Sequence, residues 1–363
     1  MLPRYPSKSK DRKSKPLYKI VDNTIVRIPN EFIRITLLPI EDEQDIVWKN
    51  DWILSKANKS LQKLLFSLWI PSIYLDPHTV KQNEELLMMY NGGRTSDIII
   101  PTFETEYHGV KYYFNILNCK GTGNLEMIGI MNKGRFLITD AHITRIEYMN
   151  GTPLGAVSLD DALNEEVVNE NLMLENGLPH TPHALVLKIP REIQKRIDKI
   201  EPLMYSWVDG ALAQVKRFFT TNIRMSDFWN LNGYHNIEFV NGESDLPKWA
   251  EPENLAKLIG RIDGRYEKFF RNVNVTADFL GEIVDNRTLD GLLTDGENLK
   301  IGENWITEIF LQELRSGSRN FLEEYAEFTY RSPRETREII ESYDEARRRE
   351  IKHIRPISIP PRR

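Results

Sequence analysis

One helix with well-marked ends lies between two stretches of strand-like sequence, and no other feature restricts the fold as much. Ser158 and Asp161 have the spacing of a capping box, and apolar residues follow at helical intervals. Gly177 and Pro179 then end the helix, because glycine is favoured just after a helix and proline cannot continue one. A single helix among strands predicts an α+β fold.

Strands are predicted on both sides of this helix from runs of apolar and β-branched residues. Before it, two pairs are expected, residues 98–100 with 110–119 and residues 135–139 with 143–148. After it, residues 184–189 form a short apolar strand that stops at a proline. Antiparallel sheet is therefore expected to dominate the first half of the chain.

The second half is predicted to be mainly helical. Helical spacing of apolar residues appears in five segments, which are residues 193–207, 252–270, 304–314, 320–328 and 333–354. The order predicts a two-lobed α+β plan. Its parts are a basic disordered tail (1–19), a strand-rich N-terminal lobe with an extension (20–190), a helical C-terminal lobe (191–350) and a short tail (351–363).

Charge is distributed unevenly along the chain. The whole chain carries a formal net charge of −5, but residues 1–19 hold seven Lys/Arg against Asp11, which leaves 41 basic and 52 acidic residues in the rest. Nucleic-acid affinity depends on Lys and Arg placed on phosphates. An acidic body therefore argues against a specific nucleic-acid partner. The tail is expected to be solvated, with contact to a polyanion as the alternative.

Cys119 is the only cysteine, which excludes an internal disulfide and a zinc site built from several cysteines. We therefore expect a reducing compartment, the cytoplasm. The longest apolar stretch, residues 64–75, contains Ser67 and Pro71 and is too short to span a bilayer. It is expected to pack in the core, and no membrane span is predicted.

Three charged residues occur in the order found in protein-kinase-like folds. In such folds a lysine on a strand of the small lobe pairs with a glutamate on the helix of that lobe, and a metal-binding aspartate follows in the large lobe. Here Lys120 ends a predicted strand, Glu166 lies in the capped helix, and Asp285 ends the apolar run 280–284. The sequence thus predicts a bilobal kinase-like fold with one αC-like helix in a strand-rich N-terminal lobe and a helical C-terminal lobe.

Four short motifs occur in order along the chain: NCKGTG at 118–123, NGLPHTPHAL at 176–185, VKRFFTTNIRMSDF at 215–228 and LGEIVD at 280–285. They resemble motifs of the selenoprotein O family, pseudokinase-like enzymes that transfer AMP from ATP onto protein hydroxyls. Together they cover roughly residues 110 to 290. Counting back from the second motif places Glu166 where the family has the helix glutamate that pairs with the strand lysine.

The resemblance implies a nucleotide site with ATP as the bound substrate. Lys120 and Gly121 would lie at the phosphates, and Glu166 would hold the lysine in place. Arg217 and Arg224 would bind the inward β- and γ-phosphates, because a guanidinium can donate two charge-assisted hydrogen bonds to phosphate oxygens. The family binds ATP in a reversed orientation, so the α-phosphorus would face a Ser, Thr or Tyr hydroxyl of a protein substrate.

Mg²⁺ or Mn²⁺ is the implied cation, with Asp285 as its carboxylate ligand. The family's loop with a base and a metal-binding asparagine corresponds without gaps to Val275 and Thr276, which differ from both. A local insertion would let Asn274 or Asp278 serve as metal ligands instead. The glycine that the family has after the metal-binding aspartate is also missing, since Asn286 follows Asp285.

Each motif has a simpler interpretation as well. Lys120 and Glu166 could be a surface lysine and a solvated helix residue. Arg217 and Arg224 could be structural ion-pair partners, and Asp285 could cap a turn.

Two further features carry weaker hypotheses. His180 and His183 suggest a metal site completed by His142 or Asp140, but no third ligand follows at a known spacing. Cys119 is expected to be a packed small side chain and not a nucleophile, because no histidine is near it in sequence.

The sequence supports two classes of function. The first is an AMP transferase acting on protein hydroxyls, with phosphoryl transfer as a close variant. The second is a pseudoenzyme that keeps the lobes but lacks catalysis and serves as a binding or assembly module. In either case the charged helix 333–354 is expected to be a solvated face, with docking on a partner protein as the alternative.

Overall fold

The computed structural model describes most of the chain. The described residues are 17–21, 23–28, 32–90, 95–107, 110–122, 130–132, 135–137, 157–200, 211–228, 238–239, 246–273, 275–277, 286–294, 299–301 and 304–353. The fold is α+β, with a large antiparallel sheet and several helices. This confirms the predicted fold class at that level.

The described strands alternate with helices in the first half of the chain. They are β1 (Leu17–Val21), β2 (Thr24–Ile28), β3 (Phe32–Pro39), β4 (Ile46–Lys49), β5 (Ser67–Pro71), β6 (Glu84–Tyr90), β7 (Thr95–Tyr107), β8 (Val110–Lys120), β9 (Ile130–Asn132), β10 (Arg135–Leu137), β11 (Val157–Ser158), β12 (His183–Lys188), β13 (Leu212–Phe219), β14 (Glu238–Phe239), β15 (Val275–Ala277) and β16 (Leu299–Ile301).

The helices are short in the first half and long in the second. They are α1 (Asp51–Lys56), α2 (Lys59–Leu65), α3 (Pro77–Gln82), α4 (Leu159–Asp161), α5 (Val168–Glu175), α6 (Arg191–Ile200), α7 (Pro252–Val273), α8 (Asn304–Phe328) and α9 (Pro333–His353). A π-helical segment, Ala162–Val167, joins α4 to α5 without a break, and we call the three together the site helix.

The large sheet has the strand order β4-β12-β13-β8-β7-β6-β3-β5, with β11 paired to β13, and every pair in it is antiparallel. One face of its centre packs on the main hydrophobic core, which includes Phe114, Phe218 and Phe269. The other face packs on the site helix through Val186 and Val215. The sheet is therefore covered on both faces at β12 and β13.

Two side chains of β13, in the middle of the sheet, form hydrogen bonds with the backbone of the edge strand β5 and of helix α2. The Gln214 amide accepts a hydrogen bond from Trp69 N at 3.0 Å and donates one to Trp69 O at 2.7 Å, as a neighbouring strand would. Lys216 Nζ donates to Leu64 O and Leu65 O at 2.9 and 2.7 Å, at the end of α2. Burial lowers the pKa of Lys216 to about 7. The edge strand β5 is thus paired by side chains on one side and by β3 on the other.

Helices α7, α8 and α9 pack together around a second core that includes Ile259, Phe321 and Ile339. The closest approach is at Gly260, where an added Cβ would lie 2.4 Å from Tyr343 O. Charged residues also link the helices, with Arg265 Nε 2.8 Å from Glu350 Oε1. The inner face of α9 is therefore buried against α7, so only its outer face is open to another molecule.

Two expectations about the elements need correction. The sequence predicts one helix in the strand-rich part of the chain, but α1, α2 and α3 also lie among its strands, so the site helix is one of several there. The segments 304–314 and 320–328 form one continuous helix, α8. The Ser318 hydroxyl, which lies between them, donates to Asp263 at 2.7 Å and so does not compete for the backbone hydrogen bonds of the helix. The strand at 135 pairs with Ile130–Asn132, and its predicted partner, residues 143–148, lies outside the described residues. The predicted helix 193–207 is described as Arg191–Ile200.

Gly260→Ala should destabilise the protein, because the new Cβ would overlap the α9 backbone at Tyr343. The expected loss is about 1–3 kcal/mol in the free energy of unfolding, even though alanine is the better helix former. Denaturant titration measures it. The control is Lys257→Ala, an exposed change on the same helix that should stay within about 0.5 kcal/mol of the parent. Equal stability of the two variants would contradict the close helix contact.

Candidate functional site

The centre of the candidate site is a buried ion pair between strand β8 and the site helix. Lys120 Nζ lies 2.5 Å from Glu166 Oε1, and the two side chains are 8% and 2% exposed. Lys120 is the last residue of β8, and Gly121 follows with a φ of +115° that favours glycine. Glu166 lies in the π-helical segment, a distortion that is frequent at functional sites. The alternative of a surface lysine and a solvated glutamate is therefore excluded.

The ion pair continues into a row of buried charged and titratable groups, which we call the charge chain: Lys120, Glu166, His183, Glu170 and His180. His183 Nε2 is 2.9 Å from Glu166 Oε2, close enough for an ion pair but without the alignment of a hydrogen bond. His183 Nδ1 is 3.0 Å from Glu170 Oε2, and its backbone N–H donates to Glu170 Oε1 at 3.2 Å. His180 Nε2 lies 3.0 Å from the same Glu170 oxygen.

Electrostatics keep this chain ionised despite its burial. Burial acts to raise the pKa of Glu166, yet Lys120 and His183 hold it well below its ordinary value. Burial opposes ionisation of Glu170 too, but the two histidines lower its pKa to about 2. Burial would lower the pKa of His183, whereas the two carboxylates raise it to about 9. At neutral pH the carboxylates are negative and His183 is positive.

A second polar row crosses the same sheet beside Lys120. The strand register places Asp97 opposite Asn118 and Asn118 opposite Arg217. Asn118 Nδ2 donates to Asp97 Oδ1 at 2.6 Å, and Asn222 Nδ2 donates to Asp97 Oδ2 at 3.2 Å. Burial raises the pKa of Asp97 to about 6, while the amides, Arg217 and Arg224 act to lower it.

The side-chain carbonyl oxygen of Asn118 is a buried hydrogen-bond acceptor in this polar row. The residue is 2% exposed, and its Oδ1 has no hydrogen-bond partner among the described residues. Asn118 is two residues before Lys120, so both side chains project from the same face of β8. A buried acceptor without a partner is costly in a native protein, and a bound donor is one way to satisfy it.

A connecting loop, residues 286–294, joins the sheet to the helical half. The Arg217 guanidinium donates to Thr294 O, and Thr294 N donates to Asn286 O at 2.9 Å. At the other end, Arg287 Nη2 donates to Asp263 Oδ1 at 2.6 Å inside the helical core. Asn286, the residue after Asp285 in the sequence, is therefore linked by two hydrogen bonds to Arg217.

The third sequence motif has a structural role that the sequence did not reveal. Thr24 Oγ1 donates to Thr220 O, and Thr221 Oγ1 donates to Ile25 O at 2.5 Å. Asn222 pairs with the backbone of Arg27, accepting from its N–H at 2.7 Å and donating to its carbonyl at 3.2 Å. These contacts hold the N-terminal ribbon, β1 and β2, beside the Asp97 row.

The structure brings together four of the predicted site residues, which are Lys120, Gly121, Glu166 and Arg217. Arg224 is exposed seven residues further on, near enough to act on Asp97. The predicted metal ligands Asp285, Asn274 and Asp278 lie outside the described residues.

The two weaker hypotheses concern the histidines and Cys119. His180 and His183 are held by Glu170, and within the described part of the chain no group of three His, Cys, Asp or Glu could hold a metal ion. The third ligands considered, His142 and Asp140, lie outside the described residues, so a metal site that includes one of them stays a prediction. Cys119 is fully buried, and burial raises the pKa of its thiol to about 12, so it is a packed side chain.

Sequence reasoning missed several residues of this site. Asp97, Asn118, Glu170 and Asn222 were not singled out, and His183 was considered only as a metal ligand. The spacing of Glu166 and Glu170, four residues apart, is the one signal that could have placed Glu170 on the same helix face.

Comparisons with known proteins add no assignment. No family model matches this chain, and a search of the curated proteins finds no match. The resemblance to selenoprotein O thus depends on the four motifs alone. Among the described helices, none is long and apolar enough to cross a membrane.

His183 should make stability depend on pH. Its folded pKa of about 9 is above its ordinary value of 6.5, so its contribution is complete below pH 6.5 and is lost as pH rises through 9. We expect this contribution, measured as the difference in unfolding free energy between the parent and His183→Gln, to fall by about 3 kcal/mol over this window. The difference is the quantity to follow, because Lys216, whose folded pKa of about 7 is below its ordinary 10.5, stabilises the fold increasingly over the same pH range. His183→Gln should be less stable by about 3–5 kcal/mol at pH 6.5 and should lack this decline.

Denaturant titrations at pH 6.5, 7.5 and 9 measure both effects. The matched control is His78→Gln, because His78 is exposed on α3. An unchanged pH slope in His183→Gln would show that the imidazole does not carry the charge between the two carboxylates.

Proposed function

We propose that this protein is a kinase-like nucleotidyltransferase that moves AMP from ATP to a Ser, Thr or Tyr hydroxyl of another protein. The acceptor oxygen attacks the α-phosphorus, the bond to the pyrophosphate oxygen breaks, and the hydroxyl proton is released. The products are an AMP ester of the protein and pyrophosphate. The chemistry needs mainly positioning and charge neutralisation from the enzyme.

The observation that carries the proposal is the buried Lys120–Glu166 pair. In protein kinases a strand lysine is held for the phosphates by a helix glutamate, and the pair is a condition of activity. Replacing a buried ion pair with apolar residues of similar volume often leaves stability unchanged or raises it, so stability alone gives little reason to keep this pair. The site helix packs on β12 and β13, and Lys120 ends the neighbouring strand β8, which is the relative placement that the proposal requires of a lysine and a helix glutamate.

Further support comes from the groups around the pair. Arg217 is a second buried cation on the adjacent strand, and the unpartnered Asn118 Oδ1 could accept a hydrogen bond from the nucleotide. Asp285 precedes Asn286, which the connecting loop ties to Arg217. We therefore propose Lys120 and Arg217 as phosphate ligands, with Gly121 beside them and Arg224 at the edge.

A divalent cation, Mg²⁺ or Mn²⁺, is part of the proposal and would neutralise charge on the phosphates. Its proposed ligand is Asp285, with Asn274 or Asp278 as a second. The described residues hold no metal-binding cluster of their own, so the cation would depend on these three residues and on the phosphates.

One observation favours a pseudoenzyme instead. Val275 and Thr276, which correspond without gaps to the family's base and metal-binding asparagine, lie in β15 and pair with Ile301 and Lys300 of β16. Neither residue supplies a carboxylate or amide oxygen. In this second candidate the protein would bind nucleotide, or only a partner, without transferring any group.

Radiolabelled ATP separates the candidates. With Mg²⁺ or Mn²⁺ present, label from the α-phosphate on protein supports AMP transfer, and label from the γ-phosphate alone supports phosphoryl transfer. ATP binding without either label supports the pseudoenzyme. A protein that neither binds ATP nor becomes labelled contradicts the nucleotide site altogether.

Lys120→Ala should lower the transfer of label at least about 100-fold. Because this change leaves Glu166 buried without its lysine, Lys120→Arg should be measured alongside it. The arginine variant keeps the charge and the fold but should still lose most activity, since its planar head cannot take the lysine geometry. Lys81→Ala, an exposed change on α3, is the control. Asp285→Ala should also abolish transfer.

A further inference from the structure

A second concave site lies away from Lys120, where strands β7 and β8 extend past their neighbours. It is a cleft of about 310 Å³ between this two-stranded extension and helix α1. Trp52 of α1 lines one side of the cleft, and Tyr113 of β8, which is 40% exposed, also lines it. None of its lining residues belongs to the nucleotide site described above.

Two buried hydroxyls in the lining of the cleft have no hydrogen-bond partner. Thr105 and Tyr112 face each other across the strand pair and are 8% and 7% exposed. Neither Thr105 Oγ1 nor the Tyr112 hydroxyl is hydrogen-bonded to any described residue. Burial raises the pKa of Tyr112, so its hydroxyl stays protonated and can both donate and accept. Unpaired buried hydroxyls that line a cleft point to a missing ligand group.

The rim of the cleft carries both signs of charge. Lys56 and Lys111 supply two positive side chains, and Glu104 and Glu106 supply two negative ones. Among the described residues none of these four has an ion-pair partner. A phosphate or polynucleotide would meet the glutamates, and a simple cation would meet the lysines, so a ligand of one sign fits poorly.

The dimensions match a short extended peptide. The lining includes three successive residue pairs of the strands: the buried pair Thr105 with Tyr112, flanked by the pairs Glu104 with Tyr113 and Glu106 with Lys111, whose side chains start from the opposite face. At about 3.4 Å per residue, a segment of three or four extended residues covers them. A peptide also supplies donors and acceptors for the hydroxyls, an apolar side chain for Trp52, and side chains of opposite charge for the rim.

We propose that this cleft binds an extended segment of another protein, with one acidic and one basic side chain on either side of an apolar or aromatic residue. The inference rests on the proposed function in one respect, because it takes this segment to be part of the polypeptide that carries the acceptor hydroxyl. Tyr112 and Trp52 also line a smaller cavity whose wall includes His180, so the cleft adjoins the end of the charge chain.

Binding is tested without nucleotide, using a positional library of acetylated and amidated fluorescent pentapeptides on the full-length protein. The expected result is selection of an acidic and a basic position separated by an apolar one. Lys56→Glu should reverse the preference at the acidic position. Failure to select any sequence, or the same selection in Lys56→Glu, overturns the proposal.

Tyr112→Phe distinguishes a ligand-binding hydroxyl from a structural one. Because the hydroxyl has no partner in the described structure, its removal should leave the melting temperature unchanged or higher, while the affinity for the selected peptide falls about threefold to tenfold. Tyr330→Phe, at a 96% exposed site, is the matched control. A lower melting temperature with unchanged peptide affinity overturns the proposal.

The two proposals fail separately. A selected peptide bound by a protein that transfers no AMP supports the cleft and refutes the transferase. AMP transfer to an acceptor protein that is unaffected by Lys56→Glu and Tyr112→Phe supports the transferase and refutes the cleft.

Discussion

Charge buried between the sheet and the site helix is the constraint on which the rest of the structure depends. Lys120 and Glu166 are nearly inaccessible to water, and an unpaired ion in that position would cost several kcal/mol. His183 and His180 lie within 3.0 Å of the Oε2 carboxylate oxygens of Glu166 and Glu170 and supply compensating charge or hydrogen-bond donors to them. The site helix must therefore keep its rotation and its distance from β8. The π-helical segment around Glu166 is part of that fixed geometry.

The connecting loop transmits this constraint to the helical half of the chain. Its backbone accepts from Arg217 at one end, and Arg287 is buried at the other among Asp263, Ser318 and the Gly291 carbonyl. Tyr343 and Ser318 also donate to Asp263. One buried arginine thus binds the loop to α7 and α8, while α9 reaches the same carboxylate. A loop held at both ends fits the proposed function, in which Asp285, the residue before the loop, is a metal ligand.

The AMP transferase and the pseudoenzyme differ at a small number of positions. Both explain the buried lysine pair, the adjacent arginine and the fixed loop. They differ over what replaces the asparagine and base that Val275 and Thr276 do not provide. A metal carried by Asp285 favours the first, and a purely structural use of Lys120 favours the second. The physical distinction is whether the buried positive charge faces a phosphate or only its own carboxylate.

The sequence by itself determined the local elements and the types of residue at the site. The Ser158 cap accepts a hydrogen bond from Asp161 N, and Gly177 adopts a positive φ, because capping and left-handed conformations depend on adjacent residues. The Lys120–Glu166 pair followed from motif order. Only the tertiary structure revealed Asp97, Asn118, Glu170 and the ionised His183. Strand register and helix rotation bring these residues together from positions up to 86 apart in the chain, and no local pattern encodes such a distance.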